Sequence, residues 1–462
     1  MTSPPRHVGV LDIGKTNVKV AVVDLASRSE IAVLTRPNRV LPGPPWPHFD
    51  TEGHWEFFLD ALAQLHAAHG IDALAVTTHG ACAALLAADG ALAAPVLDYE
   101  HHAPERLRQA FLAIRPPFAE TGTPALKMGL SVGAQLFWQF AQDSGLRERT
   151  AHVLFWPQYW AYRLSGGLAA DLTSLGCHTD LWNPHRGTFS SLADRLGIRD
   201  RIAPARPPGA ILGVIRPEVA LRTGLPPDTP VSTGIHDSNA SLVPHLIDRA
   251  APFGVVSTGT WVVVMAVGGR AVTLDPTRDT LVNVNALGGL VNSARFMGGR
   301  EYETIKEARE LSATAQDAGP VLDHALMLLP SVLAGGGPFP DRRMEWRPAE
   351  PQDDPAREIA LGYYLALMTA ECLAISGAEG PVIVEGPFAR NPFFLDMLST
   401  AVARPVIASA SATGTAIGAA LLYDPVPCPA QDAPHPVPDD PRLMAYARLW
   451  QAATGTTDVA QS

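Results

Sequence analysis

Cysteine is scarce in this chain. Its 462 residues include four, Cys82, Cys177, Cys372 and Cys428, which stand far apart and form no CxxC pair. Their spacing therefore encodes neither a disulfide framework nor a zinc site, and free thiols are expected. Basic residues are short too: 35 Lys and Arg against 46 Asp and Glu give a formal net charge of -11, the wrong sign for a nucleic-acid surface. A phosphate ligand is not excluded, because a glycine turn and a metal ion bind phosphate locally whatever the global charge. No segment reads as a membrane span. The most apolar window, Phe253 to Val267, is rich in valine and broken by Ser-Thr-Gly-Thr, which suits two buried strands. The N-terminus, MTSPPRHVGVLDIG, enters a strand pattern almost at once, with no charged-then-apolar leader, so the cytoplasm is the expected compartment.

What is present is apolar material, 47% of residues against 18% charged, enough for two or three buried cores. The organising stretch runs from Val231 to Thr260, VSTGIHDSNASLVPHLIDRAAPFGVVSTGT. It sets an acid, Asp237, just after the Ser232-Thr233-Gly234 turn, and about twenty residues later a second turn, Ser257-Thr258-Gly259-Thr260. That second turn has an echo near the N-terminus. With Gly9 laid on Gly254, VGVLDIGKTNVKVAV aligns without a gap onto FGVVSTGTWVVVMAV, placing Asp12 on Ser257, Gly14 on Gly259 and Lys15 on Thr260. Both copies read strand, tight glycine turn, strand. A duplicated unit spaced by half the chain predicts two related domains facing one another. Turns of this kind expose backbone N–H groups to phosphate oxygens, although either alone is also an ordinary hairpin.

Between the repeats, Trp55, Phe58, Leu59, Leu62 and Leu65 recur at helical steps after a Pro-rich loop. The run from Ile71 reads strand, loop, strand, a turn at Asp89-Gly90, then strand. Polar residues gather at the strand ends: His79, then Asp98, Glu100, His101 and His102. Strand ends of an open α/β sheet are where ligands bind. Lys127 to Arg163 is helical and aromatic, read as packing core because basic residues are sparse. LAGGGPFP at 333–340 is a glycine-rich loop without the strand-helix frame of a dinucleotide site. A helix is expected from Arg357 to Ser376 with Ile359, Tyr363, Ala366, Leu367 and Ala370 on one side. Then come a buried strand, Val382 to Glu385, and a helix capped by Asn391 with Pro392 in its first turn, an arrangement that suits a nucleotide. TGTAIGAALL reads as a helix of small residues, close-packed against a ring or another helix. The tail after Tyr423 is Pro-rich and ends in a short helix.

These residues resemble the FGGY carbohydrate kinases of the actin-like ATPase superfamily. DIGKTNVKV is similar to that family's first phosphate loop, and the approach to Asp237 to the segment that leads to its catalytic acid. VVSTGTW resembles the second phosphate loop, and EGPFARNPFF with TGTAIGAALL the adenosine motif. The resemblance implies an α/β protein of two duplicated actin-like (ribonuclease H-like) domains with a catalytic cleft between them: 1–245 binding sugar, 246–425 binding ATP, and a tail at 426–462. It implies ATP and Mg²⁺ as cofactors, with Asp237 the general base and Asp12 holding the metal. Thr258, Gly259 and Thr260 would meet the phosphates, with Gly14, Lys15 and Thr16 facing them, and Gly386 and Asn391 would border the adenosine. His79, Asp98, Glu100 and His101 would contact the sugar. Two departures stand out. Asp98-Tyr99-Glu100 occupies the place of a Trp-x-Asp motif, and Pro387 that of a further glycine. The implied activity is phosphorylation of a sugar hydroxyl, with a ketose such as L-rhamnulose, L-fuculose or xylulose as first choice. A homodimer is left open, and no nucleic-acid or membrane partner is expected. A chaperone-like ATPase without a sugar acceptor and a non-catalytic sugar sensor are the alternatives.

Overall fold

A computed structural model of the chain describes residues 4–409, 414–428 and 433–456. The first residue of TGTAIGAALL and parts of the Pro-rich tail lie outside the described residues. Two compact units are formed, the first from 4–248, 282–290 and 414–428, the second from 249–281, 291–409 and 433–456.

Both repeats fold as expected. In unit 1, strands His7–Ile13 and Asn17–Asp24 pair antiparallel around the Gly14 turn, and Ser29–Pro37 extends the meander. Ala73–Thr78 lies parallel on the other side of the first strand, followed by Pro230–Ser232 and Ile235–His236. Five strands of the second sheet repeat this order. Leu290–Phe296, Val262–Val267 and Phe253–Thr258 run antiparallel, then Val382–Glu385 and Val406–Ala408 are added in parallel.

The gapless alignment of the hairpins is corrected by one residue after the turn. Asp12 pairs with Lys19 in the first, whereas its counterpart Ser257 pairs with Val263, not Val264, in the second. Strand parity explains why. Val18, Val20 and Val22 share one buried face, as do Val262, Val264 and Ala266, and a slip of one residue would turn every side chain to the wrong side. The second turn is shorter by one residue to keep its valines inside.

Helix Thr51–His69 begins where Asp50 accepts the Gly53 N–H at 2.9 Å, and buries Phe58, Leu59, Leu62 and Leu65 as the spacing requires. The expected third strand after Asp89-Gly90 is reduced to isolated bridges at Leu92 and Leu97. The aromatic stretch is helical over Val132–Gln142 and Trp156–Ser165 but carries a strand, His152–Phe155, between them. The long helix of unit 2, Asp354–Ser376, is buried on all sides: Leu361, Tyr364, Leu365 and Met368 are as inaccessible as the expected face. Among the described residues it alone is long and apolar enough to cross a membrane, and 89% of that window is inside the protein, as for a core helix.

Helix Thr415–Leu421, expected with the second domain, packs in unit 1. Its small residues Ala416, Ala419 and Ala420 share a core with Val8, Val10, Ala21, Ala240 and Val243. Gly418 lies so near helix Asp237–Asp248 that an added Cβ would sit 1.7 Å from the Ala240 carbonyl oxygen. The helix therefore serves backbone-to-backbone packing in unit 1.

Candidate active site

Hairpin register places Asp12 and Lys19 side by side at the end of the first two strands. The Lys19 ammonium is 3.3 Å from Asp12 Oδ2 and 3.0 Å from Glu30, and the Thr415 hydroxyl donates to the same Asp12 oxygen. Burial raises the pKa of Asp12 against the pull of Lys19 and Thr415, and the charge of Asp237 raises it further. Burial opposes the charge on Lys19, but Asp12 and Glu30 outweigh it and raise its pKa. Lys19 and Thr415 were missed by the sequence reading. Lys19 was recoverable from the hairpin register; Thr415, 403 residues from Asp12, had no local signal.

Asp237 opens helix Asp237–Asp248, directly after the turn at Gly234, whose φ of +94° only glycine adopts readily. Buried Gln158 braces that turn, donating to the Thr233 carbonyl at 3.1 Å. The Asp237 side chain is 30% exposed, with Oδ1 accepting the Ser238 N–H at 2.6 Å and lying 3.4 Å from His236 Nε2. Burial opposes a proton on His236, but the neighbouring Cys177 and Asp237 outweigh it and push its pKa up to about 9. The result is a part-exposed carboxyl group beside a buried imidazole, in the same unit as Asp12.

The remaining polar residues expected at the strand ends fall into two groups. Asp98 and Glu100 both engage Lys15, the second at 3.2 Å. Lys15, expected to face a phosphate, is thus bound to carboxylates. His79 is buried against Phe49, Tyr99 and Trp156. Its Nδ1–H donates to the Gly80 carbonyl at 2.9 Å, and burial lowers its pKa to about 4. Its Nε2 is therefore a neutral acceptor, without a hydrogen-bond partner and closed to solvent. His101 stacks edge-on to Trp138 at 5.5 Å, and burial lowers its pKa. His102 is exposed and makes no side-chain cap.

Unit 2 contains a cavity of about 800 Å³, the size of a small-molecule site. Gly259 and Thr260 of the second hairpin turn line it, with Pro387, Phe388, Arg390, Asn391, Pro392 and Phe393. Asn391 caps helix Pro392–Val402 by accepting the Phe394 N–H at 3.1 Å. Tyr302 and Glu358, unnoticed in the sequence, hydrogen bond to each other at 3.0 Å in the cavity wall. Thr258 is placed differently from expectation: buried, it donates to the Glu385 carbonyl and accepts the Phe388 N–H at 3.1 Å. It pins the Gly386 turn, where φ is +83° and a Cβ would meet the Thr258 carbonyl oxygen at 2.0 Å. The Gly14 and Gly259 N–H groups are used within their own turns, on Asn17 and Trp261 carbonyls, each at 2.9 Å.

Among the described residues, no group of three His, Cys, Asp or Glu side chains forms a metal cluster. A magnesium ion carried mainly by nucleotide phosphates needs only one or two carboxylates, and Asp12, whose charge burial disfavours, fits that part.

The model of the N-terminal domain of the FGGY family of carbohydrate kinases matches residues 7–244, and that of the FGGY C-terminal domain residues 250–432. The chain belongs to the FGGY family of carbohydrate kinases. As an FGGY protein it is similar to the crystal structure of a carbohydrate kinase from Novosphingobium aromaticivorans. That likeness has a TM-score of 0.90 and 36% identity over 98% of this chain and 99% of that one. Curated relatives include an L-fuculokinase from Salmonella typhi, 25% identical over 272 residues, 57% of each chain. Autoinducer-2 kinase from Escherichia coli K12 is 25% identical over 316 residues, 65% of this chain. The matches span 57% and 59% of those relatives' own lengths.

Proposed function

We propose that this FGGY protein transfers the terminal phosphoryl group of ATP to a hydroxyl of a ketose of the L-rhamnulose, L-fuculose or xylulose type. The observation that carries the reading is Asp237, accessible at a helix start in the unit that also holds Asp12. A sugar hydroxyl is a weak nucleophile. As its oxygen bonds to phosphorus and the bond to the ADP oxygen breaks, its proton passes to the Asp237 carboxylate, a contribution of about 10²- to 10⁴-fold. His236 Nε2 lies 3.4 Å from Asp237 Oδ1 and is placed to hold that carboxyl group in position. Asp12 would hold Mg²⁺, which would neutralise phosphate charge. The unit 2 cavity takes the nucleotide, with Asn391 and Phe388 at the adenosine and Gly259 and Thr260 toward the phosphates.

The name of L-fuculokinase supports a ketose. Autoinducer-2 kinase matches over a longer stretch at the same identity, so autoinducer-2 belongs among the acceptors tested. The test is ADP release from Mg·ATP against ketoses, aldoses, polyols and autoinducer-2, with an acceptor-free control. Turnover stimulated by one or two acceptors sustains the reading; acceptor-independent hydrolysis replaces it with the ATPase. Light scattering on the same preparation tests the homodimer.

A further inference from the structure

The chain has only four lysines, Lys15, Lys19, Lys127 and Lys306, and one of them sits among acids at the candidate sugar loop. The Lys15 ammonium engages Asp98 and, at 3.2 Å, Glu100. It also lies 4.7 Å from the centre of the Tyr99 ring and 5.3 Å from that of Phe49. Both rings pack against His79, each at 5.2 Å. The turn that carries Lys15 is fixed in turn by Asn38, whose side chain donates to the Gly14 carbonyl at 2.7 Å and whose N–H donates to Thr16 at 2.8 Å.

We propose that Lys15 is an acceptor-side positioning residue: its ammonium holds Asp98, Glu100 and Tyr99 in the arrangement that reads the acceptor's hydroxyls, and does not bind the phosphates. The proposal rests on the kinase reading above. A compact ammonium suits the place, because it satisfies two carboxylates and two ring faces at once, where a planar guanidinium satisfies one carboxylate in a fixed fork. Asp98 is buried, so without Lys15 it loses its ion-pair partner and the loop must rearrange. Two carboxylates against one ammonium also leave acceptors free to donate hydroxyl hydrogens into the spare lone pairs.

The experiment is steady-state kinetics of the full chain and of Lys15→Met and Lys15→Arg, with the acceptor found in the panel. Lys15→Met is expected to raise KM for the acceptor about ten- to a hundredfold, the range for losing hydrogen bonds to a charged group. KM for Mg·ATP and calorimetric binding of Mg·ADP should stay within about twofold. Lys15→Arg, which keeps the charge and protects the fold, should recover part of the acceptor KM. The reverse split, a raised KM for Mg·ATP with the acceptor KM unchanged in both variants, overturns the proposal and returns Lys15 to the phosphates. If no acceptor stimulates the wild type, the kinase reading fails separately. The seat of Lys15 is then judged by ¹³C-dimethylation, which keeps the charge, and NMR of four lysine signals. Its signal must move in Asp98→Asn or Glu100→Gln; a signal unmoved by both overturns the ion-pair arrangement itself.

Discussion

Replacing Gly418 with alanine places a methyl carbon 1.7 Å from the Ala240 carbonyl oxygen and 2.6 Å from its carbon. Both obstacles are backbone, so no rotamer change relieves the clash. Helix Thr415–Leu421 must retreat by about 1.3 Å, the difference from 1.7 Å to the 3.0 Å that is the shortest approach real Cβ atoms make. A gap of that size forfeits a quarter to a half or more of each dispersion contact across the interface, here the one shared by Ala416, Ala419 and Ala420 with Val8, Val10 and Ala240. Overpacking of this kind costs about 1–3 kcal/mol, and a backbone obstacle puts it at the upper end. The gain in helix propensity returns up to about 1 kcal/mol. A net loss of about 2 kcal/mol is expected. The retreat also withdraws Thr415 from Asp12, so magnesium-dependent turnover should fall with stability. Urea unfolding followed by tryptophan fluorescence measures the first effect. Gly213→Ala is the control, since its Cβ meets only Ser165 Cβ at 3.6 Å, and it should stay within about 0.5 kcal/mol of wild type. If Gly418→Ala also stays within that limit, the close approach is absent and the reasoning fails.

Asp237→Asn should lower acceptor phosphorylation by at least about a hundredfold while leaving Mg·ADP binding by calorimetry unchanged; substantial retained turnover would remove Asp237 from the role of base. Burial, with Arg36 adding, lowers the pKa of His54 to about 4. Below pH 6.5 the unfolded chain therefore binds a proton that the folded chain refuses, and stability falls as pH drops from 6.5 toward 4. Between pH 7 and pH 5 that histidine alone costs about 2 kcal/mol. His54→Leu should shed that much pH dependence in urea midpoints at the two pH values, and parallel curves would refute the assignment. Asn391→Ala should destabilise by about 1 kcal/mol through loss of the helix cap and weaken Mg·ADP binding; an unchanged affinity would separate Asn391 from the nucleotide.

Much of this protein is local and was therefore legible in its sequence. Valine runs around a glycine turn make a hairpin wherever they occur, so both repeats were readable, as were strand Val382–Glu385 and the Asn391-capped helix after it. The order of the motifs carried the family. Three things depended on packing between distant segments. Whether a turn spans three residues or four was decided by which valines the core accepts. The partner of Lys15 was decided by the fold of a loop 83 residues away, which brings Asp98 to it. The place of Thr415 beside Asp12 was decided by a glycine small enough to let two helix backbones touch. Periodicity and caps are set by neighbours along the chain. Ion pairs and close approaches form only after long loops have closed, and no residue near the lysine, the threonine or the glycine in the sequence names its distant partner.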